Sequence, residues 1–203
     1  MTVLDLGVTI DKKLNFSIHV SNIVRVAHSR ANLIVKCFVS NDPHSLIKAF
    51  ITYVRPLVEY CSPVWSPHSV SLIDQLESVQ RRFTKRLNGL KTLTYTDRLA
   101  KLNLASLELL RLHADLCLCF KIVHGHIALK CDDFFDINVN SVTRGHNLKL
   151  SVKSLNVRQH FYTNRAVAPW NSLASGVVNA VSVQSFKQML KGQVLSCFVS
   201  IEH

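Results

Sequence analysis

Three stretches of this sequence hold side chains able to do chemistry. Asp132 and Asp133 are adjacent carboxylates, the kind of pair a two-metal nucleotidyl-transfer site needs. They sit in "LKCDDFF", behind a helical pattern and without flanking strands, and read as a solvated pair at a helix end. Cys61 lies in "RPLVEYCSPVWSP", residues 55–67. A cysteine nucleophile needs a depressed pKa, usually at a helix N-terminus or beside a cation. The pattern puts Cys61 at a helix C-terminus instead, where the dipole opposes a thiolate, and His68 is a weak cue for a base. Pro56, Pro63 and Pro67 point to a rigid corner packed by Tyr60, Cys61, Val64 and Trp65. The third stretch, "CLCFKIVHGHIALKC" (117–131), mixes Cys and His. Cys117 and Cys119 lie two apart in a helical pattern and so face different ways. The paired ligand spacing of a zinc knuckle is missing. No Gly-rich phosphate loop or Ser-centred elbow is found. We expect no catalytic residue and no metal site in this chain.

Binding is a better prospect than catalysis. With 24 Lys and Arg against 13 Asp and Glu, the formal charge is +11. Such a chain favours polyanions, nucleic acid ahead of an anionic membrane. In "QRRFTKRLNGLK", at 100° per residue, Arg81, Arg82, Lys85 and Arg86 fall within one arc of about 140°. The stripe of Leu72, Leu76, Val79 and Phe83 faces roughly the other way, and Lys91 follows the helix. Cations so arranged form a phosphate-tracking patch. The competing explanation is a solvated face, with Asp74 and Glu77 early, cations late, and Glu77 paired to Arg81 one turn on. Residues 137–201 hold Arg144, Lys149, Lys153, Arg158, Arg165, Lys187 and Lys191 and no acid. One sign of charge over so long a segment calls for an anionic partner, with Arg158 and Arg165 as contacts.

These residues need elements to position them. Of 203 residues, 48 % are apolar, enough for one large domain or two small ones. "TVLDLGVTIDKKLNF" reads as a strand, a turn at "DKK" and a second extended piece. A two-stranded ribbon is marginal alone, and a start within a strand leads us to expect a missing upstream segment. Ser17 opens a helix that ends near Val39, with a stripe of Ile18, Ile23, Val24, Ala27, Ala31 and Ile34. Arg25, His28 and Arg30 lie on its wetter side. Asp42 caps a second helix with Pro43 in its first position, and Pro56 kinks or ends it. Ser71 opens a third, with Asp74 completing a capping box and Gly89 stopping it. A short helix breaks at Asn103. A long one then runs from Ser106 to Gly125, with Leu107, Leu110, Ala114, Cys117 or Leu118, and Ile122 inward. Beyond Cys131 lie loop, one short extended piece and two short helices, the second capped near Ser182.

The expected fold is therefore mainly α. It comprises an N-terminal β-hairpin (1–16), a three-helix bundle (17–92) and a loop-rich region with further helices (93–203), with a natural break around 126–140. Six cysteines without a basic N-terminal region read as free thiols of an intracellular chain, nuclear or cytoplasmic. No apolar run has the length of a bilayer span.

Several blocks occur together in one order: "LGVTIDKKLNFSIHV", "YVRPLVEYCSPVWSP", "IDQLESVQRRFTKRL", "YTDRLAKLNLASLELLRLHADL", "TRG", "FYTNRAVAPWNSL" and "SVQSFKQML". Together they resemble the C-terminal end of the reverse transcriptase of jockey-like non-long-terminal-repeat retrotransposons. The resemblance spans nearly the whole chain. It implies that Leu6, Gly7 and Val8 match a primer-grip hairpin. It also implies that the three helices form a thumb following an RNA/DNA template–primer, with Arg81, Arg82, Lys85 and Arg86 on or beside the nucleic-acid face. The family's catalytic Tyr/Phe-x-Asp-Asp turn lies upstream of the Leu-Gly-Val strand. Asp132–Asp133 does not match it, because it follows the thumb and Lys130 takes the aromatic position. Ala174 also stands where the family usually has Pro. The expectation is a non-catalytic fragment of an RNA-directed DNA polymerase. It would need no cofactor of its own, Mg2+ belonging to the parent enzyme, and its partners would be the template–primer and the missing palm and fingers, not a membrane. The alternatives are a small basic helical protein-interaction module and a functionless transposon relic.

Overall fold

The computed structural model describes residues 2–39, 42–138, 145–152 and 161–200. It is mainly helical, with a short N-terminal antiparallel hairpin. Two compact units divide within one helix: Met1–Leu110 with Ser200–His203, and Arg111–Val199. Among the described residues no helix is long and apolar enough to cross a membrane.

In the first unit, strands β1 (Thr2–Asp5) and β2 (Val8–Asp11) pair antiparallel with Asp5 opposite Val8. Leu6 and Gly7 therefore make a two-residue turn, at φ 44° and 85°. Positive φ at both centres matches the twist of a hairpin. This corrects the expected strand boundaries. Leucine rarely adopts positive φ, so "LG" did not read as a turn. The "DKK" turn exists too. Asp11 Oδ1 accepts from Lys13 N (2.9 Å) and Asn15 N (2.7 Å), but the chain goes directly into helix α1 (Ser17–Cys37). The hairpin is anchored there by buried Val8 and by Thr9 N, which donates to His19 Nδ1 at 3.2 Å.

Helix α1 buries His19, Val20, Val24, Ala27, Ala31 and Ile34, while Ile18 is exposed. Helix α2 (Pro43–Tyr53) starts as its sequence predicts, with Asp42 accepting from Ser45 N at 2.8 Å. It breaks at Val54, ahead of Pro56, and α3 (Arg55–Glu59) resumes. Cys61, at φ 55°, leads into the single turn α4 (Ser62–Trp65). Of the expected corner packing, only Trp65 is inside. Its indole N–H donates to Tyr60 O at 2.7 Å, and its ring meets His19 edge-on. Tyr60, Val64 and Cys61 are exposed. A four-residue turn presents only one side to the core, and the indole fills it.

Helix α5 (Val70–Lys85) begins one residue earlier than predicted. Ser71 is already helical, so no capping box forms. Phe83 of α5 stacks on Phe50 of α2, ring centres 4.6 Å apart, in the same core as Ala27 and Ala31 of α1. Burying each such ring contributes about 2–3 kcal/mol. Helix α6 (Tyr95–Leu102) is capped by Thr94, which accepts from Asp97 N, and stopped by Asn103 at φ 52°. Ser106 Oγ accepts from Leu109 N in the first turn of α7 (Leu107–Val123).

In the second unit α7 buries Leu112, Asp115, Leu116, Cys119, Phe120 and Ile122. Leu110, Ala114 and Cys117 are only half-buried. The true face carries polar Arg111 and Asp115, which an apolar-stripe count passes over. Past a 3-10 turn (Cys131–Asp133), β3 (Phe135–Ile137) pairs with β4 (Leu150–Val152), two strands where one was expected. The Asn171 amide continues this ladder, donating to Leu150 O (2.8 Å) and accepting from Leu150 N (2.9 Å). Asn171 and Trp170 belong to α8 (Tyr162–Ser172), which is followed by α9 (Ser175–Val178) and α10 (Val183–Leu190). Ser182 caps α10 as predicted, accepting from Ser185 N. Phe120 and Phe186 stack at 4.4 Å beside Trp170.

Candidate nucleic-acid interface

A groove of about 970 Å³ runs between α1 and the C-terminal end of α5 in the first unit. One wall is α1. Arg25, His28 and Asn32 recur there at three- and four-residue spacing, on one face of the helix. The other wall is Arg82 and Lys85 of α5 with its C-cap Arg86, which share a face for the same reason. Gly89, at φ 73°, reverses the chain after α5 and brings Lys91 into the lining. Space is open around that glycine, so the backbone angle is what demands it. Ala31, Val79, Phe83 and Leu87 form an apolar floor. Among the described residues no carboxylate lines the groove.

The two walls are fastened by polar contacts. Arg86 donates to Asn32 Oδ1 across the groove. His28 Nε2 lies 3.1 Å from Ser78 Oγ, whose hydroxyl is spent on Gln75 O at 2.7 Å. Nε2 must therefore carry the hydrogen in that contact. Burial holds the imidazole below its ordinary pKa, and Arg82 adds to the effect. Arg25, Arg82, Lys85 and Lys91 make no ion pair among the described residues.

The predicted cations divide. Arg82, Lys85, Arg86 and Lys91 meet in the groove. Arg81 does not join them: its Nη2 donates to Asp74 Oδ1 at 2.6 Å, and its guanidinium lies 5.5 Å from the centre of the Tyr95 ring. Glu77 is not its partner, contrary to the expected helix pair. Glu77 is fully buried, and its carboxylate accepts from Tyr95 Oη, Leu107 N (3.1 Å) and Glu108 N (3.2 Å). It thus serves as a remote cap for α7. Burial and the Glu77 charge drive the Tyr95 hydroxyl pKa far up, so the tyrosine remains a donor.

Arg165, expected to contact nucleic acid, is committed elsewhere. Its Nε and Nη2 meet the two carboxylate oxygens of buried Asp115 at 2.8 and 3.2 Å. Lys149 donates to Asn171 O. Arg158, like Arg144 and Lys153, lies outside the described residues. Leu6 and Gly7 form the hairpin turn, with Leu6 exposed, and Val8 is the buried anchor; none of the three lines the groove. Asp132 and Asp133 lie in the 3-10 turn. Among the described residues no three His, Cys, Asp or Glu side chains are grouped to hold a metal. Arg25 and His28 were legible only as the wetter side of α1. Nothing in the sequence paired that side with α5.

No family model matches the chain, and no solved structure matches it. An uncharacterized protein of Caenorhabditis elegans is 34 % identical over 110 residues, covering 52 % of this chain and 55 % of that relative. The chain thus spans about half the length of the curated relative it matches.

Proposed function

We propose that this chain is the thumb-like, non-catalytic part of an RNA-directed DNA polymerase of the non-long-terminal-repeat retrotransposon kind, and that its groove holds the phosphate backbone of a template–primer. The observation that carries this is the acid-free groove of Arg25, Arg82, Lys85, Arg86 and Lys91. Cations held near one another without counter-charges repel and destabilise their own site, and a polyanion relieves that repulsion while releasing its own counterions. Contacts of this kind position a duplex without reading its bases. Metal-dependent chemistry falls to carboxylates outside this chain.

The test is fluorescence anisotropy with an RNA/DNA primer–template across a salt series. The comparator carries Arg82, Lys85, Arg86 and Lys91 changed to Ala. Wild-type affinity is expected to fall steeply with salt. The variant should bind more weakly, with a log–log slope shallower by about three to four, near one for each cation removed. Equal affinity and slope would refute the assignment. A second reading, a protein-interaction module, draws on the exposed Val3, Leu4 and Leu6 of the hairpin. Folded protein that ignores nucleic acid in this assay would favour it.

A further inference from the structure

We infer that His28 contacts the phosphodiester as an imidazolium, so that the groove takes up a proton when it takes up nucleic acid. This rests on the nucleic-acid reading above and adds a ligand and a pH response to it. The placement is geometric. His28 shares the groove with Arg25 on its own helix, Arg82 and Lys85 on α5, and the C-cap Arg86 and Lys91 beyond α5. Among the described residues no titratable group of the hairpin, α2 or α3 lines it, and no carboxylate does. Ser78 holds Nε2–H, which fixes the ring and leaves Nδ1 as the nitrogen that can gain a proton.

In the empty groove a second proton is opposed twice. The ring is half-buried, and Arg82 repels a positive charge. A bound phosphodiester reverses the second effect. It brings a negative charge into the same groove, and an opposite charge nearby favours the charged form of an imidazole. The folded protein then binds a proton together with its ligand. By linkage, affinity must rise as pH falls through the histidine range and level off once the free protein is also protonated. A rise of one unit in the His28 pKa on binding corresponds to about tenfold in affinity. The phosphodiester itself keeps its single charge across this range. Terminal phosphates titrate near pH 6, so the probe must end in hydroxyls.

The experiment uses the full chain and a dye-labelled, hydroxyl-terminated RNA/DNA duplex at constant ionic strength. Affinity is measured at about pH 7.5 and about pH 5.5 for wild type and His28→Gln, which keeps a donor for Ser78. The wild type is expected to gain about three- to sixfold more affinity on acidification than the variant, the tenfold limit being reached only below the titration range of the free protein. Proton NMR of the His28 ring should show its titration midpoint moving up when the duplex is added, a readout that does not depend on the variant folding. An equal pH response in both proteins, or an unmoved midpoint in a bound complex, overturns the inference and leaves nucleic-acid binding intact. No binding by folded wild type at either pH overturns both.

Discussion

Both compact units are rich in cations, yet they use them in opposite ways. In the first, Arg82, Lys85 and Lys91 stand around a groove with no acid in its lining. In the second, Arg165 is clamped by buried Asp115, and Lys149 caps a carbonyl of α8. In sequence the second region also calls for an anionic partner, because residues 137–201 hold seven cations and no acid. Its counter-charge lay outside that window, on α7. What separates a binding surface from a structural one is where the nearest carboxylate sits after folding, and a count along the chain does not report it.

The contrast can be broken most sharply at Asp115. Asp115→Ala leaves Arg165 beside a buried, unbalanced site and should cost about 3–5 kcal/mol. Thermal melting should show the loss, while duplex affinity at a temperature where the chain is folded stays within about twofold of wild type. A groove substitution such as Lys85→Ala should do the reverse, changing stability by less than about 0.5 kcal/mol and weakening binding. A large stability loss from Lys85→Ala would show that the groove cations are structural after all.

Glu77 comes next in size. Glu77→Ala strips Tyr95 Oη and two α7 amides of their acceptor, and should destabilise by about 2–4 kcal/mol in urea titration. If the change costs less than about 1 kcal/mol, the remote cap is not what holds α6 and α7 to α5.

Acid should loosen the hairpin more gently. His19 accepts from Thr9 through Nδ1, and burial holds its pKa below 6.5. The folded chain thus binds this proton less readily than the unfolded one. Stability from His19 is complete above the unfolded pKa near 6.5. It is lost as pH falls from there through the lower folded pKa. Amide exchange at Thr9 should accelerate across that window, and a rate that stays flat after correction for intrinsic exchange would remove His19 as the anchor.

The smallest effect belongs to Arg81. Its ion pair with Asp74 is partly exposed and worth less than about 1 kcal/mol. Arg81→Ala should leave duplex affinity within about twofold, in contrast to Arg82→Ala next to it. A matching loss in both would restore the undivided four-cation patch that the helical arc implied.

Much of this was legible because it is local. Asp42 with Pro43, Asn103, Gly125 and Ser182 act within a few residues of themselves, and each marks a helix end where expected. Arg82, Lys85 and Arg86 share a face through helical spacing alone. What failed was tertiary or strained. The Leu6–Gly7 turn puts a leucine at positive φ, Glu77 reaches thirty residues along the chain to Leu107, and Asp115 meets Arg165 from α7. The α1 wall of the groove escaped notice because only packing tells Arg25 and His28 which helix they face.

The most direct test of the central claim is the salt dependence of primer–template binding, comparing wild type with the Arg82, Lys85, Arg86 and Lys91 alanine variant and with Arg81→Ala. A steep wild-type slope, retained in Arg81→Ala and shallower by about three to four in the groove variant, is the expected result. Slopes that coincide in all three folded proteins would contradict the account and return the groove to an ordinary solvated surface.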